Sequence, residues 1–416
     1  SIDNELRNDP ERADKWEIVR KPSKEDFLTI FGTINYDRTY FKSKLDGEYA
    51  FLAERLLDIG PKDKIGSDVQ ISALEEAVDS SYRKSGEGST ISDDVISKQS
   101  VMNIVKDLEK DKIKVRDKLP DEKKKVKILY VEADEDHVPL QYEQGIAFEK
   151  LVYVHEGIDK VSQKRNRLKN CRYFGGEYKN NEKLWKEVAD YIYDHYDWDY
   201  IEKIYLAGDG ASWIRQGTEW LKNCHFVLDK YHLSKYFKKA TGHIDDEFLV
   251  QELKDALDEG SYKWFDKAFR KIYKATEDEK KLERVKDARR YMARNWDGIE
   301  IYEKDGYDVI GCSAEGHVSH ILADRLSSRP TGWSRDRADK ITRLRVFKWN
   351  GGDIFDLVMK NKEAKKQEVV SKRYSNKILN RTVKKKYGED YSNIAVLDKG
   401  KRTSIYKALK GMRGAV

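Results

Sequence analysis

KKVKILYVEADEDHV (residues 124–138) is apolar through Val131 and then turns acidic, with Asp134 where a buried strand would end. Its Val, Ile, Leu and Tyr content reads as a β-strand. Working outward, AFEKLVYVHEG (147–157) and RLKNCRYFGGEY (167–178) read as two more strands. NEKLWKEVADYIYDHY (181–196) follows as an amphipathic helix with Leu184, Val188, Ile192 and His195 on one face. YIEKIYLAGDG (200–210) is a buried strand ending in an acidic turn at Asp209, SWIRQGTEWL (212–221) a short helix, and CHFVLDKYH (224–232) one more strand.

Three strands, a helix, a strand, a helix and a strand is the element order of an α/β, ribonuclease H-like mixed sheet. A crossover helix sets the next strand beside an earlier one, so carboxylates far apart in sequence can meet. On this reading residues 119–235 are the first part of a catalytic core. Residues 236–305, with no glycine between Gly260 and Gly298, are an all-helical insertion. Residues 306–345 return to the core, with a β-like stretch YDVIGCSAEG (307–316) and a helix HVSHILADRLSSR (317–329) stopped by Pro330.

Upstream, residues 1–60 contain LTIFGTINYDRTYF (28–41), a β-hairpin pattern around Gly32. Residues 61–118 are helical. VQISALEEAVDSSYRK (69–84) is one helix, GEGST (86–90) a turn, and SKQSVMNIVKDLE (97–109) a second helix N-capped by Ser97. This second helix buries Val101, Met102, Ile104, Val105 and Leu108 and leaves Lys98, Gln99 and Asn103 outside, as a helix-turn-helix DNA reader requires. Any small helical bundle carries the same pattern, so packing alone explains it equally well.

The chain has 416 residues, 39% hydrophobic and 38% charged, with a net charge of +6. Residues 341–416 hold 20 Lys and Arg against 7 Asp and Glu, leaving −7 for the rest. A basic C-terminal region (346–416) is the electrostatic footprint expected for nucleic-acid phosphates, or else a one-sided solvated surface. No apolar run approaches the ~18 residues of a membrane span, and the first residues are charged, so no membrane partner and a cytoplasmic address are expected. Cys171, Cys224 and Cys312 are scattered without a C-x-x-C pair, against a disulfide framework or structural zinc.

Asp134 and Asp209 end strands, and Glu315 starts the helix after the insertion. Carboxylates from three elements make a hard oxygen cage suited to Mg2+, with Mn2+ as substitute. Cutting a phosphodiester requires an activated attacking oxygen and charge neutralisation at the leaving one, which paired divalent ions supply. Asp136 shares the strand parity of Asp134 and is its rival. In DKYH (229–232), Asp229 and His232 either orient a scissile phosphate or cap a helix and brace the site from behind.

GTINYDRTYF (32–41), VEADEDHVPLQ (131–141), YLAGDGASWI (205–214), DKYH (229–232) and EGHVSHILADRLSSRPTGWS (315–334) together resemble the bacterial ISLre-type insertion-sequence transposases of the Mutator-like DDE superfamily. The resemblance implies a ribonuclease H-like catalytic domain with a helical insertion before the final glutamate. It also implies DDE roles for Asp134, Asp209 and Glu315, and metal-dependent strand cleavage and transfer at inverted repeats. Double-stranded DNA and a homodimer or larger homo-oligomer are the partners expected, since two element ends must be held together. A nuclease of the same fold and a non-catalytic DNA-binding derivative are the alternatives. Among lesser candidates, Arg325, Arg329, Arg335 and Arg337 are phosphate contacts unless they pair with Asp324, Asp336 and Asp339. Trp333 is a base-stacking candidate. Trp213 is expected in the core, and His317 and His320 are expected to bond the backbone or Glu315.

Overall fold

The computed structural model describes residues 1–60, 63–141, 145–162, 165–328 and 332–367. Residues 1–354 form one unit and 355–416 a second, of which 355–367 are helical. Most of the expected basic C-terminal region, 368–416, lies outside the described residues, as does Arg329.

The chain opens with α1 (Ile2–Asn8) and α2 (Pro10–Lys15), then the antiparallel pair β1 (Trp16–Thr29) and β2 (Gly32–Ser43), with β3 (Tyr49–Phe51) added to β2. Asp3 of α1 is buried because its carboxylate accepts from Thr39 N and Oγ1, both at 2.7 Å. After α3 (Leu52–Leu56) come α4 (Ser67–Asp79), α5 (Tyr82–Glu87) and α6 (Lys98–Lys106). The single helix expected over 69–84 is broken at Ser80 because Ser81 turns its hydroxyl to Lys84 N and starts a new helix. Ser97 caps α6 through Ser100 N at 3.1 Å. Val69, Ala73, Ala77, Ile96 and Val101 fill the small core between these helices.

The central mixed sheet is built from β4 (Ile128–Pro139), β5 (Ile146–His155), β8 (Arg172–Gly176), β9 (Lys203–Gly208) and β10 (Cys224–Leu228), in the order β10-β9-β4-β5-β8. β4, β9 and β10 are parallel, and β5 runs antiparallel to β4 and β8. Between β5 and β8 lies a separate antiparallel pair, β6 (Ile158–Ser162) and β7 (Arg165–Leu168). Part of the expected third strand therefore belongs to this second ribbon.

α7 (Asn181–His195) crosses one face, burying Leu184, Trp185, Val188 and Ile192 against Leu129, Val131, Val152, Ile204 and Leu206. Each such side chain withdrawn from water contributes ~1.5–3 kcal/mol, which outweighs the helix's weak intrinsic preference. α8 (Ser212–Arg215) and α9 (Gly217–Trp220) lead to β10, after which α10 (Lys230–Thr241), α11 (Glu247–Asp258), α12 (Tyr262–Ala275), α13 (Glu279–Arg294) and α14 (Trp296–Asp305) form the helical insertion. The opposite face carries α15 (Ala314–Val318), a π-turn at Ser319–Ala323, α16 (Asp324–Leu326) and α17 (Arg335–Trp349). The expected strand over 307–316 does not form: beyond a 3-10 turn at Gly306–Asp308 the backbone is irregular, and Ser313 N bonds a carboxylate instead of a strand. Among the described residues no helix is long and apolar enough to cross a membrane.

Candidate active site

Strand register assembles three carboxylates. β4 pairs with β9 up to Glu132↔Ala207, and β9 with β10 up to Gly208↔Leu228. Continuing both ladders sets Asp134 abreast of Asp209 and Asp229, which directly follow the last residues of β9 and β10; Asp134 itself does not end a strand as expected, because β4 runs on to Pro139 by pairing with β5. Strands lie ~4.8 Å apart, so the three backbones fall within ~10 Å. Alternation along each strand gives all three the same face.

Asp134 is partly buried and takes Glu135 N at 2.8 Å. Burial pushes its carboxyl up to about 7, the negative charges of Asp209 and Glu315 push the same way, and Glu135 N and His232 oppose them. Those couplings place Asp209, Glu315 and His232 in the electrostatic reach of Asp134. Asp209 accepts Ala211 N at 2.8 Å, while its carbonyl accepts Tyr291 OH of α13 at 2.5 Å. Gly210 holds φ at +85°, and a Cβ there would come within 2.3 Å of Asn295, so insertion and site loop are in contact through a position that only glycine fits. Asp136, the rival, is engaged by Ser327 Oγ at 2.8 Å and is absent from the influences on Asp134.

Asp229 does both things expected of it. Oδ1 caps α10 through Tyr231 N, and Oδ2 bonds His232 Nδ1, both at 3.0 Å. The Asp229 bond raises the imidazole's pKa against the opposing effect of burial, and Asp209 and Asp134 add to the rise.

Glu315 is exposed at the first turn of α15. Its helix is tied to β4 by Glu132, which sequence reasoning passed over. Glu132 is 2% exposed and accepts from Ser313 N at 2.5 Å, Tyr153 OH at 2.6 Å and His155 Nε2 at 3.0 Å. Burial alone would raise this carboxyl, but His155, Tyr153 and Ser313 hold it below its ordinary value. An acid with the parity of Asp134 inside an apolar run was the available signal. The other end is held by Arg345, 5% exposed, which donates to Ile321 O and, at 2.7 Å, to His320 O of the π-turn, to Val78 O at 2.7 Å and to Asp79 at 2.6 Å. A π-turn leaves carbonyls without their regular partners, and π-turns concentrate at functional sites. His317 bonds Tyr173 OH at 3.0 Å and His320 lies 3.6 Å from Asp324, so neither bonds Glu315.

Among the described residues no three His, Cys, Asp or Glu side chains converge tightly enough to enclose a metal ion. The donor chemistry nevertheless suits one: hard carboxylate oxygens, that of Asp134 pushed up chiefly by burial and further by the charges of Asp209 and Glu315, which a cation would offset.

The expected DNA contacts divide. Lys98, Gln99 and Asn103 are exposed along α6, Gln99 bonding Asn103 at 3.0 Å. Arg325 and Trp333 are corrected: Arg325 is largely buried, 4.7 Å from the Trp333 ring, donating to Ala77 O at 3.1 Å. Trp333 is 5% exposed, and its Nε1 donates to Leu326 O, so neither side chain reaches a phosphate or base. Arg335 is partly buried and pairs with Glu177, and Arg337 donates to Ser334 Oγ at 2.8 Å. Trp213 is in the core, its carbonyl taking Trp185 Nε1 at 2.8 Å.

The model of the uncharacterised protein family UPF0236 matches residues 1–363. Two UPF0236 proteins of Caldanaerobacter subterraneus subsp. tengcongensis are each 41% identical over the whole chain and 86% of their own length. The name of one joins eleven locus labels and that of the other four. A UPF0236 protein of Streptococcus gallolyticus is 24% identical over 86% of the chain and 79% of its own length.

Proposed function

The chain belongs to the UPF0236 family, and from that premise we propose that it is a DNA transposase of the DDE kind, cleaving and rejoining strands at the ends of a mobile element. The observation that carries this reading is the register that sets Asp134 and Asp209 side by side, with Glu315 close enough to act on the charge of Asp134. The sheet order β10-β9-β4-β5-β8 with a helical insertion before Glu315 supports a ribonuclease H-like core. The many locus labels in relatives' names fit a sequence present in several copies per genome. In this reading α4–α6 form the helix-turn-helix-like reader, with Lys98, Gln99 and Asn103 facing DNA.

Asp134, Asp209 and Glu315 would hold Mg2+ or Mn2+, which when bound supplies charge neutralisation at a phosphodiester. Asp229 orients His232 and favours its protonated form, which would offer a cationic N–H toward a phosphate oxygen at the crevice. Glu132 and Arg345 position the helix that carries Glu315.

The test is Mn2+-dependent nicking of supercoiled plasmid, together with joining of duplexes that carry the DNA flanking the protein's own gene. Asp209→Asn is expected to lower both by about a thousandfold, ~4 kcal/mol of barrier, with unchanged thermal melting. Cleavage that survives the substitution overturns the reading. Cleavage without joining assigns a nuclease instead.

A further inference from the structure

We propose that the β6–β7 ribbon is a DNA-backbone clamp that grips the duplex away from the crevice, beyond the amino end of β4. This rests on the transposase reading and adds a contact surface to it. The ribbon's sequence, IDKVSQKRNRLK (158–169), carries five basic residues against Asp159 alone. Among its described residues, all of β6 and Asn166, Arg167, Lys169 and Asn170 around β7 are exposed. Two strands that bury nothing have no packing reason to exist as a pair. Their base is nevertheless well made: Glu156 N bonds Lys169 O and Lys169 N bonds Gly157 O, each at 2.9 Å, so the ribbon is a built continuation of β5 and β8. Lys169 pairs with Asp159 at 3.2 Å, while Lys160 and Arg167 have no ion-pair partner among the described residues.

Beside the ribbon opens a cleft of about 1270 Å³. Its lining combines Arg167 and Lys169 of the ribbon with Ser313, His317, His320 and the half-exposed Trp349. Ser313 lies two residues before Glu315 in the chain. The ribbon springs from His155, which pairs across the sheet with Tyr130, four residues from Asp134. At ~3.3 Å per residue that sets the root of the ribbon ~13 Å from Asp134, and because β5 runs antiparallel to β4 the chain leaves the sheet there at the end away from Asp134. Unpaired cations beyond that root suit phosphates more than about four base pairs from the one to be cut, at ~3.4 Å per base pair, and a two-stranded ribbon is a shape that DNA grooves admit.

The experiment measures anisotropy of a fluorescein-labelled duplex of roughly 30 base pairs with the full chain in EDTA, across a sodium chloride series. Each phosphate contact contributes about 0.9 to the slope of log affinity against log salt. Lys160→Gln with Arg167→Gln should therefore lower that slope by about 2 and weaken binding about tenfold at the lowest salt. Lys254→Gln with Lys267→Gln, an equal charge change on α11 and α12, should leave it unaltered. A wild-type slope in the ribbon variant overturns the proposal, as does a fall in oligomeric mass with DNA binding intact, which would assign the ribbon to a second copy of the chain. Because no metal or chemistry is involved, a ribbon that binds DNA in a protein lacking Asp209-dependent cleavage would sink the transposase reading alone.

Discussion

Asp134, Asp209 and Asp229 are placed by backbone hydrogen bonds between strands, whereas Glu315 is placed by side chains reaching across from other elements. The first arrangement survives almost any side-chain change that leaves the sheet intact. The second depends on two buried charges: Glu132 gripping Ser313 at one end of α15, and Arg345 gripping the π-turn at the other. One half of the site is therefore rigid by construction and the other half is adjustable.

The comparison is broken most severely at Arg345. Arg345→Met leaves buried carbonyls of Val78, His320 and Ile321 without their donor, and urea unfolding is expected to show a loss of about 3–5 kcal/mol. A loss below about 1 kcal/mol means the π-turn is held by something else. Glu132→Gln removes a buried carboxylate from His155 and weakens the hold on Ser313, with an expected loss of about 3 kcal/mol. DNA affinity in EDTA should stay at the wild-type level while cleavage falls, because only Glu315 is displaced. Equal losses in both would erase the distinction between the two halves.

Effects read from pH dependence sharpen the contrast. Glu149 on β5 is fully buried, and the Thr342 hydroxyl is close enough to oppose the rise of its pKa without making a hydrogen bond of regular geometry. Burial, then the charge of Asp339, pushes its carboxyl up to about 8. The folded state thus holds this proton while the unfolded chain releases it near the ordinary 4.5. Stability should fall as pH rises between those values, by on the order of 5 kcal/mol in total. Glu149→Gln should flatten that slope, and an unchanged slope in a pH series of urea melts rejects the assignment. The smallest effect is expected from Asp229→Asn, since asparagine caps α10 as well as aspartate does. Its signature is electrostatic. The His232 imidazole, raised chiefly by Asp229, should titrate lower by NMR, and the stability that charged His232 contributes should vanish at a lower pH as pH rises. An unmoved titration would mean that Asp209 and Asp134 alone set it.

How much of this was legible beforehand follows the same division. Asp134 and Asp209 were readable as charges interrupting apolar strand patterns, and Asp229 with His232 as a cap at a strand-to-helix junction. Glu132 carried the same signal as Asp134 but lies two residues deeper, and nothing local tells a buried anchor from a carboxylate at the crevice. Arg325 and Trp333 were misread as DNA contacts because a basic and aromatic stretch after a helix looks the same whether it faces solvent or folds back onto Tyr82 and Ala77. The β6–β7 ribbon was merged into the next strand because its residues alternate too weakly to mark a boundary.

Periodicity and turn chemistry, which act over a few residues, determined the five strands of the central sheet, the helical insertion and where acids interrupt or follow those strands. Only the tertiary structure decided which of those acids share a face, what holds the glutamate helix, and which arginines are left for a ligand. Those outcomes depend on contacts between residues more than a hundred positions apart, such as Ser313 with Glu132, and no short-range pattern encodes them.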